Sequence, residues 1–234
     1  MSPRRKPKTA GELMAELEQD PEYLERVRQK KAELEEVRRR RDKEQRPVMV
    51  DLAKVGYKFD SLSDLCNSGL VYREAVPVLL DWFPRMSDPW IKEWIVRALS
   101  VPWAKPEAIR PMFDAFRQPD ELYSVRWVIG DALWYIADDS DYDELVELAC
   151  DRKFGTARSM IVLRLGKFKK RPEVVDVLLS LVDDPDVGGI AVQALSKLKA
   201  PAARSVFEAK LNDSSAEVRK DARNGLAKLD AKKL

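Results

Sequence analysis

From Ala75 onward the chain repeats itself, and the period constrains the fold more than any single residue does. The clearest copy is the last, where small and apolar residues follow a loop Asp at helical spacing from Asp213 to Leu229. Aligned on Val218, the equivalent residues are Ile91, Val125, Ala157 and Val187, and the five positions are separated by 34, 32, 30 and 31 residues. Four residues on come Ile95, Ile129, Ile161, Ala191 and Ala222, and eight on come Leu99, Leu133, Leu165, Leu195 and Leu226. Seven on, Ala98, Ala132, Ala194 and Gly225 are small enough for close helix approach, while Arg164 breaks the column. Such spacing puts one apolar stripe on a helix. A second amphipathic segment precedes each copy, at about 75–83, 107–117, 141–150, 172–182 and 201–211. The unit is therefore a helical hairpin. A lone hairpin cannot bury its apolar face, so five copies predict an all-α, right-handed α-solenoid with a continuous core over 72–234.

The residues before the repeats have a different character. Residues 1–8 predict a disordered basic tail, and Thr9-x-x-Glu12 reads as a capping box opening a short helix to about Gln19. Asp20-Pro21 then starts a long charged helical arm with Pro at its first position. Its apolar residues, Leu24, Val27, Leu34 and Val37, form a thin stripe. Arg38 to Arg41 make a basic cluster expected near the C-terminal end, where cations suit the helix dipole, and Arg46-Pro47 is expected to end the helix. Residues 1–46 hold 14 basic and 11 acidic side chains, so the arm is zwitterionic, suited to packing by one edge or to dimerisation or partner binding. A transitional segment, 47–71, is broken by Gly56 and Asn67-Ser68-Gly69.

The Asp-x5-Arg pattern, with Val before the Arg and a small-Leu pair after it, resembles HEAT repeats of the short bacterial, lyase-like type. In that family the Asp and Arg pair between neighbouring repeats as a ladder, which the resemblance places at Asp120, Arg126, Asp213 and Arg219. Lys92 and Arg158 keep the positive residue without an Asp six residues earlier, and Gly188 has no charge, so the ladder is partial. The resemblance covers about 72–230 and implies a fold rather than a function.

Composition excludes several chemistries. With no His, the chain lacks the residue used for Ser-His-Asp, Cys-His and zincin-type sites, and no cofactor or metal is expected. Cys66 and Cys150 have no CxxC partner, which fits two half-buried reduced thiols and a cytoplasmic protein. Forty-two Lys and Arg against 40 Asp and Glu create no field that would recruit nucleic acid or anionic lipid. No apolar run is long enough for a membrane span.

In a HEAT-like stack the second helices line the concave surface. Positions two, six and nine residues after Val218 and its equivalents fall between the buried ones. The first copy places Glu93, Arg97 and Ser100 there, and the second places Trp127, Asp131 and Trp134. Two indoles and a carboxylate on one outward face point to a covered core or to a binding site, with Arg97 and Arg164 as charged neighbours. Arg164 is either a snorkelling side chain or a placed cation. Charge is also segregated, with ten acidic and one basic residue in 119–151, and eight basic and no acidic residues in 152–171.

These features favour a non-enzymatic module that binds a protein partner on the concave face through Trp127, Asp131, Trp134, Arg97, Glu93 and Arg164. The alternative is enzymatic. Trp127-Val-Ile-Gly-Asp131 is similar to the Trp-x3-Asp pair of HEAT-type alkylpurine DNA glycosylases, which implies Asp131 stabilising charge on the deoxyribose, Trp127 packing on the nucleotide, and Arg164 or Arg158 holding the backbone. No Trp follows Trp134, although that family uses one, and the neighbouring acidic run opposes phosphate binding. For a chromophore lyase, nothing marks a bilin site.

Overall fold

The computed structural model describes residues 8–231, and among them it contains thirteen α-helices and no strand. In chain order these are α1 Ala10–Leu17, α2 Pro21–Lys54, α3 Leu62–Asn67, α4 Ala75–Trp82, α5 Pro89–Leu99, α6 Lys105–Arg117 and α7 Tyr123–Ile136. They continue with α8 Tyr142–Cys150, α9 Ser159–Leu165, α10 Val174–Ser180, α11 Gly188–Leu198, α12 Arg204–Ala209 and α13 Ala216–Asp230. The chain divides into two compact units, Met1–Pro47 and Val48–Leu234. The basic tail expected at the N-terminus lies, apart from Lys8, outside the described residues.

In the first unit the expected caps form. The Thr9 side chain accepts from the Glu12 N–H, and the Glu12 carboxylate accepts from the Thr9 N–H at 2.9 Å, closing the box that starts α1. The Asp20 carboxylate accepts from the N–H groups of Glu22 and Tyr23 at 2.9 and 3.3 Å, which satisfies two open donors of α2. The helix then departs from the sequence-based expectation, because it runs through Arg46-Pro47 to Lys54. An interior proline costs about 3 kcal/mol. Just beyond it Val48, Met49 and Leu52 are buried, and burial at roughly 1.5–3 kcal/mol per large apolar side chain offsets that cost. The Arg38–Arg41 cluster consequently lies mid-helix, out of reach of the terminal dipole, whose effect is confined to the last turn.

In the second unit the pairs α4–α5, α6–α7, α8–α9, α10–α11 and α12–α13 pack as hairpins, consistent with a HEAT-like solenoid. The second helices pack in sequence, α5 on α7, α7 on α9, α9 on α11 and α11 on α13. The repeat register explains this order. Ile95, Ile129, Ile161, Ala191 and Ala222 are all buried, as are Leu99, Leu133, Leu165 and Leu195 one turn further along each helix. Leu226, in the last copy, is half-buried. Close approach needs small residues: a Cβ on Gly166 would meet the Ala194 Cα at 2.9 Å, so α9 and α11 touch there almost backbone to backbone.

Residues 48–72 build onto the start of the stack. Leu62 and Leu65 of α3 are fully buried and α3 packs on α5, in the place a preceding second helix would take. The end of α2 meets α4, where the Trp82 indole N–H donates to the Asp51 carboxylate at 2.9 Å. The end of α2 and α3 thus both lie against the first hairpin. Tyr72, itself buried, donates its hydroxyl to the Ala98 carbonyl at the end of α5 at 3.0 Å.

Candidate functional site

Inter-repeat ion pairs form at positions other than those the resemblance indicated. Arg126 donates to the carbonyls of Phe116 and Gln118 at 2.9 and 2.6 Å, closing the end of α6 within its own hairpin. Arg219 likewise donates to the carbonyls of Asp213 and Ser214 at 2.6 and 2.9 Å. The Asp213 carboxylate accepts from the Ser215 N–H, and Asp120 lines a separate cleft beside α4 and α6. The bridging rungs instead start from the two cations that lacked an Asp six residues earlier. Lys92 pairs with Glu121 of the next repeat at 2.6 Å, and Arg158 pairs with Asp184 at 3.0 Å with both side chains fully buried. The acid comes from the loop of the following repeat, a spacing that the Asp-x5-Arg pattern does not encode. Arg158 also donates to the carbonyls of Ala149 and Gly155, and Asp184 accepts from the N–H groups of Asp186 and Val187. Burial pushes the Asp184 carboxyl up, but those backbone donors and the guanidinium prevail and hold it below the usual carboxylate range.

Four of the ten acids of 119–151 are answered by bases on α6. Lys105 pairs with Asp138 and Asp141, Arg110 with Glu144, and Arg117 with Glu144 and Glu147. These first-helix contacts tie the second repeat to the third.

Arg164 turns inward from the proposed binding face. It is half-buried and donates to the carbonyls of Trp134, at 3.1 Å, and Ala137, so its cation closes the C-terminal end of α7. The same device recurs two repeats later, where Lys228 donates to the carbonyl and hydroxyl of Ser196 at the end of α11. Trp134 is half-buried. Its indole N–H is buried, and the Lys167 ammonium sits 3.3 Å over its ring. Arg164 thus ties α9 to α7, and the Trp134 ring meets that of Tyr135 edge to face with centroids at 4.7 Å.

What remains open lies around α3, α5 and α7. A groove of about 520 Å³ is lined by Trp90, Trp94, Tyr135, Glu93, Arg97 and Asp131, with Cys66 and Asn67 at its α3 edge. Trp90 and Trp94, one turn apart on α5, meet edge to face with ring centroids at 5.9 Å. The Arg97 guanidinium lies 5.9 Å from the Trp94 ring. Tyr135 is 58% exposed and Trp127, one turn before Asp131, is 40% exposed. Asp131 is half-buried; desolvation raises its pKa and the nearby Arg97 charge opposes the shift. Burial pushes the Cys66 thiol up to about 11, and its Sγ lies 3.9 Å from the Trp94 carbonyl. Cys150, expected to be half-buried, is exposed.

Thus the structure brings together Glu93, Arg97 and Asp131 of the expected site, leaves Trp127 exposed and Trp134 half-buried outside the groove lining, and engages Arg164 at the end of α7. It adds Trp90, Trp94 and Tyr135, which the exposed positions deduced from the register had passed over. The signal was present as two indoles at i,i+4 with an Arg three residues beyond the second. A second groove, about 380 Å³ between α11 and α13, has only Ile190 and Val218 as large apolar residues and no aromatic ring.

Among the described residues no helix is long and apolar enough to cross a membrane, and no cluster of three or more His, Cys, Asp or Glu is placed to hold a metal. Residues 142–227, from α8 into α13, match the family model described as HEAT repeats, so this part of the chain is a HEAT repeat region. No curated protein matches the chain significantly.

Proposed function

We propose that the protein is a non-enzymatic interaction module that seats a segment of a protein partner in the groove between α3, α5 and α7. The observation that carries this reading is the cluster of side chains facing the groove, where Arg97 and Tyr135 stand exposed beside Trp90 and Trp94, and Asp131 and Glu93 complete a mixed-charge rim. Trp, Tyr and Arg are the residues most enriched where a few contacts carry most of the binding energy. Mixed charge suits a partner with both signs of charge around an apolar anchor better than it suits a uniform polyanion. HEAT repeats, moreover, typically serve as protein-interaction scaffolds.

A nucleic-acid enzyme has less support. Arg158 is buried against Asp184 and Arg164 caps α7, so neither is available to hold a phosphate backbone. The test is affinity capture from the source cells after nuclease treatment, using wild type beside Arg97→Glu/Tyr135→Ala, with thermal melting as the folding control. A protein retained by wild type and lost from the equally stable variant is the expected result. Loss of the captured material on nuclease treatment would reverse the reading.

A further inference from the structure

Helix α2 carries a second surface, independent of the groove. On a wheel of about 100° per residue centred on Leu34, the half facing front holds every large apolar residue between positions 22 and 41, namely Tyr23, Leu24, Val27, Leu34 and Val37. The same half holds Arg26, Lys30, Lys31, Arg38 and Arg41, and no acid. All five glutamates of this stretch, Glu22, Glu25, Glu33, Glu35 and Glu36, fall on the back. Within the helix Arg28–Glu25 and Arg39–Glu35 lie behind, whereas beyond position 41 acids return to the front half at Asp42 and Glu44, which pair with Arg38 and Arg40 at 4.0 Å. Along the front stripe Leu34 is 61% and Val27 45% exposed, Lys30 and Lys31 are exposed beside them, and Tyr23 and Val37 are half-buried.

We propose that this front is a docking surface for an acidic amphipathic helix of a protein partner. The stripe follows the alternating three- and four-residue spacing of a coiled-coil seam through Val27, Lys30, Leu34 and Val37. Its flanking positions, Arg26, Lys31, Arg38 and Arg40, are basic, with Glu33 the one exception in the same rows, and Arg38 and Arg40 reach Asp42 and Glu44 of the helix only at 4.0 Å and in solvent, where such pairs are weak. Flanking charges of a seam set partner choice, so these rows call for Glu and Asp opposite them. A second copy of α2 would bring basic rows against basic rows. A bilayer is a poor fit as well, because Lys30, Arg41 and Arg38 interrupt the apolar stripe and the opposite face is rich in glutamate, whereas interfacial helices keep their cations off the buried face.

The test uses the full-length protein and a labelled four-heptad peptide with Leu at both seam positions and Glu at both flanking positions, followed by fluorescence anisotropy. Its counterpart with Lys at the flanking positions is the control. Expected is saturable binding of the Glu peptide, at least tenfold tighter than the Lys peptide and weakened at least tenfold by Val27→Asp/Leu34→Asp and by Lys30→Glu/Lys31→Glu. All four positions are exposed or carry charge already, and circular dichroism of each variant verifies its helix content. Equal binding of the two peptides, or none, overturns the proposal. So does binding to phosphatidylserine vesicles without binding to the Glu peptide, or self-association in light scattering that the same substitutions abolish.

Discussion

The groove between α5 and α7 and the junction between α7 and α9 use the same residue types to opposite ends. At α7–α9 an arginine, an indole and a lysine are all engaged: Arg164 closes the carbonyls of α7, and Lys167 covers the ring of Trp134. At α5–α7 the arginine and tyrosine remain open, with Arg97 exposed and Tyr135 58% exposed. Residue identity therefore does not separate a binding face from a structural joint. The destination of each hydrogen bond and each ring does.

If that contrast is real, substitutions should divide cleanly between stability and recognition. The largest effect belongs to the buried rung, where Arg158→Ala or Asp184→Ala strands a charge inside the stack. The expected cost is about 3–5 kcal/mol of unfolding free energy in urea denaturation. Replacing Arg164 with Ala leaves the α7 carbonyls unanswered and should cost about 1–3 kcal/mol. A loss as small as that for an exposed residue would mean that Arg164 is available to a partner after all.

Two aspartates sharpen the comparison through pH. Asp138, hydrogen-bonded by Lys105 and Ser140, has its pKa lowered to about 2. Its contribution is present above the unfolded carboxylate value, roughly 4, and is lost as pH falls through the folded value. Asp131 runs the other way, since desolvation raises its pKa and its ionised form is disfavoured in the folded state. Stability linked to it falls as pH rises through its titration. Hence Asp138→Asn should flatten the acid side of the stability profile, whereas Asp131→Asn should leave the protein slightly more stable at neutral pH. A loss of stability from Asp131→Asn at pH 7 would show that its carboxylate is satisfied within the fold. Smallest of all should be Arg97→Ala/Tyr135→Ala, which removes exposed groups and should shift unfolding by less than about 1 kcal/mol.

The repeat was legible because its columns are apolar and helical, and each of Ile95, Ile129, Ile161, Ala191 and Ala222 went to the core. Pro47 was misleading because the local rule against an interior proline yields to burial of Val48 and Leu52 immediately after it. Asp184 was missed because its partner, Arg158, is 26 residues back, and its loop position differs from that of Asp213. Part of the exposed stripe was legible, since Glu93, Arg97 and Ser100 of the first copy and Asp131 of the second line the groove. The register passed over Trp94, three residues after Ile91, and Tyr135, ten after Val125, because they flank those positions on the wheel.

Site-specific photo-crosslinking in the source cells tests the central claim most directly, with benzoylphenylalanine placed at position 97 or 135 and, separately, at position 193 in the ring-free groove between α11 and α13. A shared protein adduct from 97 and 135, absent from 193, is the predicted result. An adduct from 193 with none from 97 or 135 would place recognition at the other end of the stack and contradict the claim.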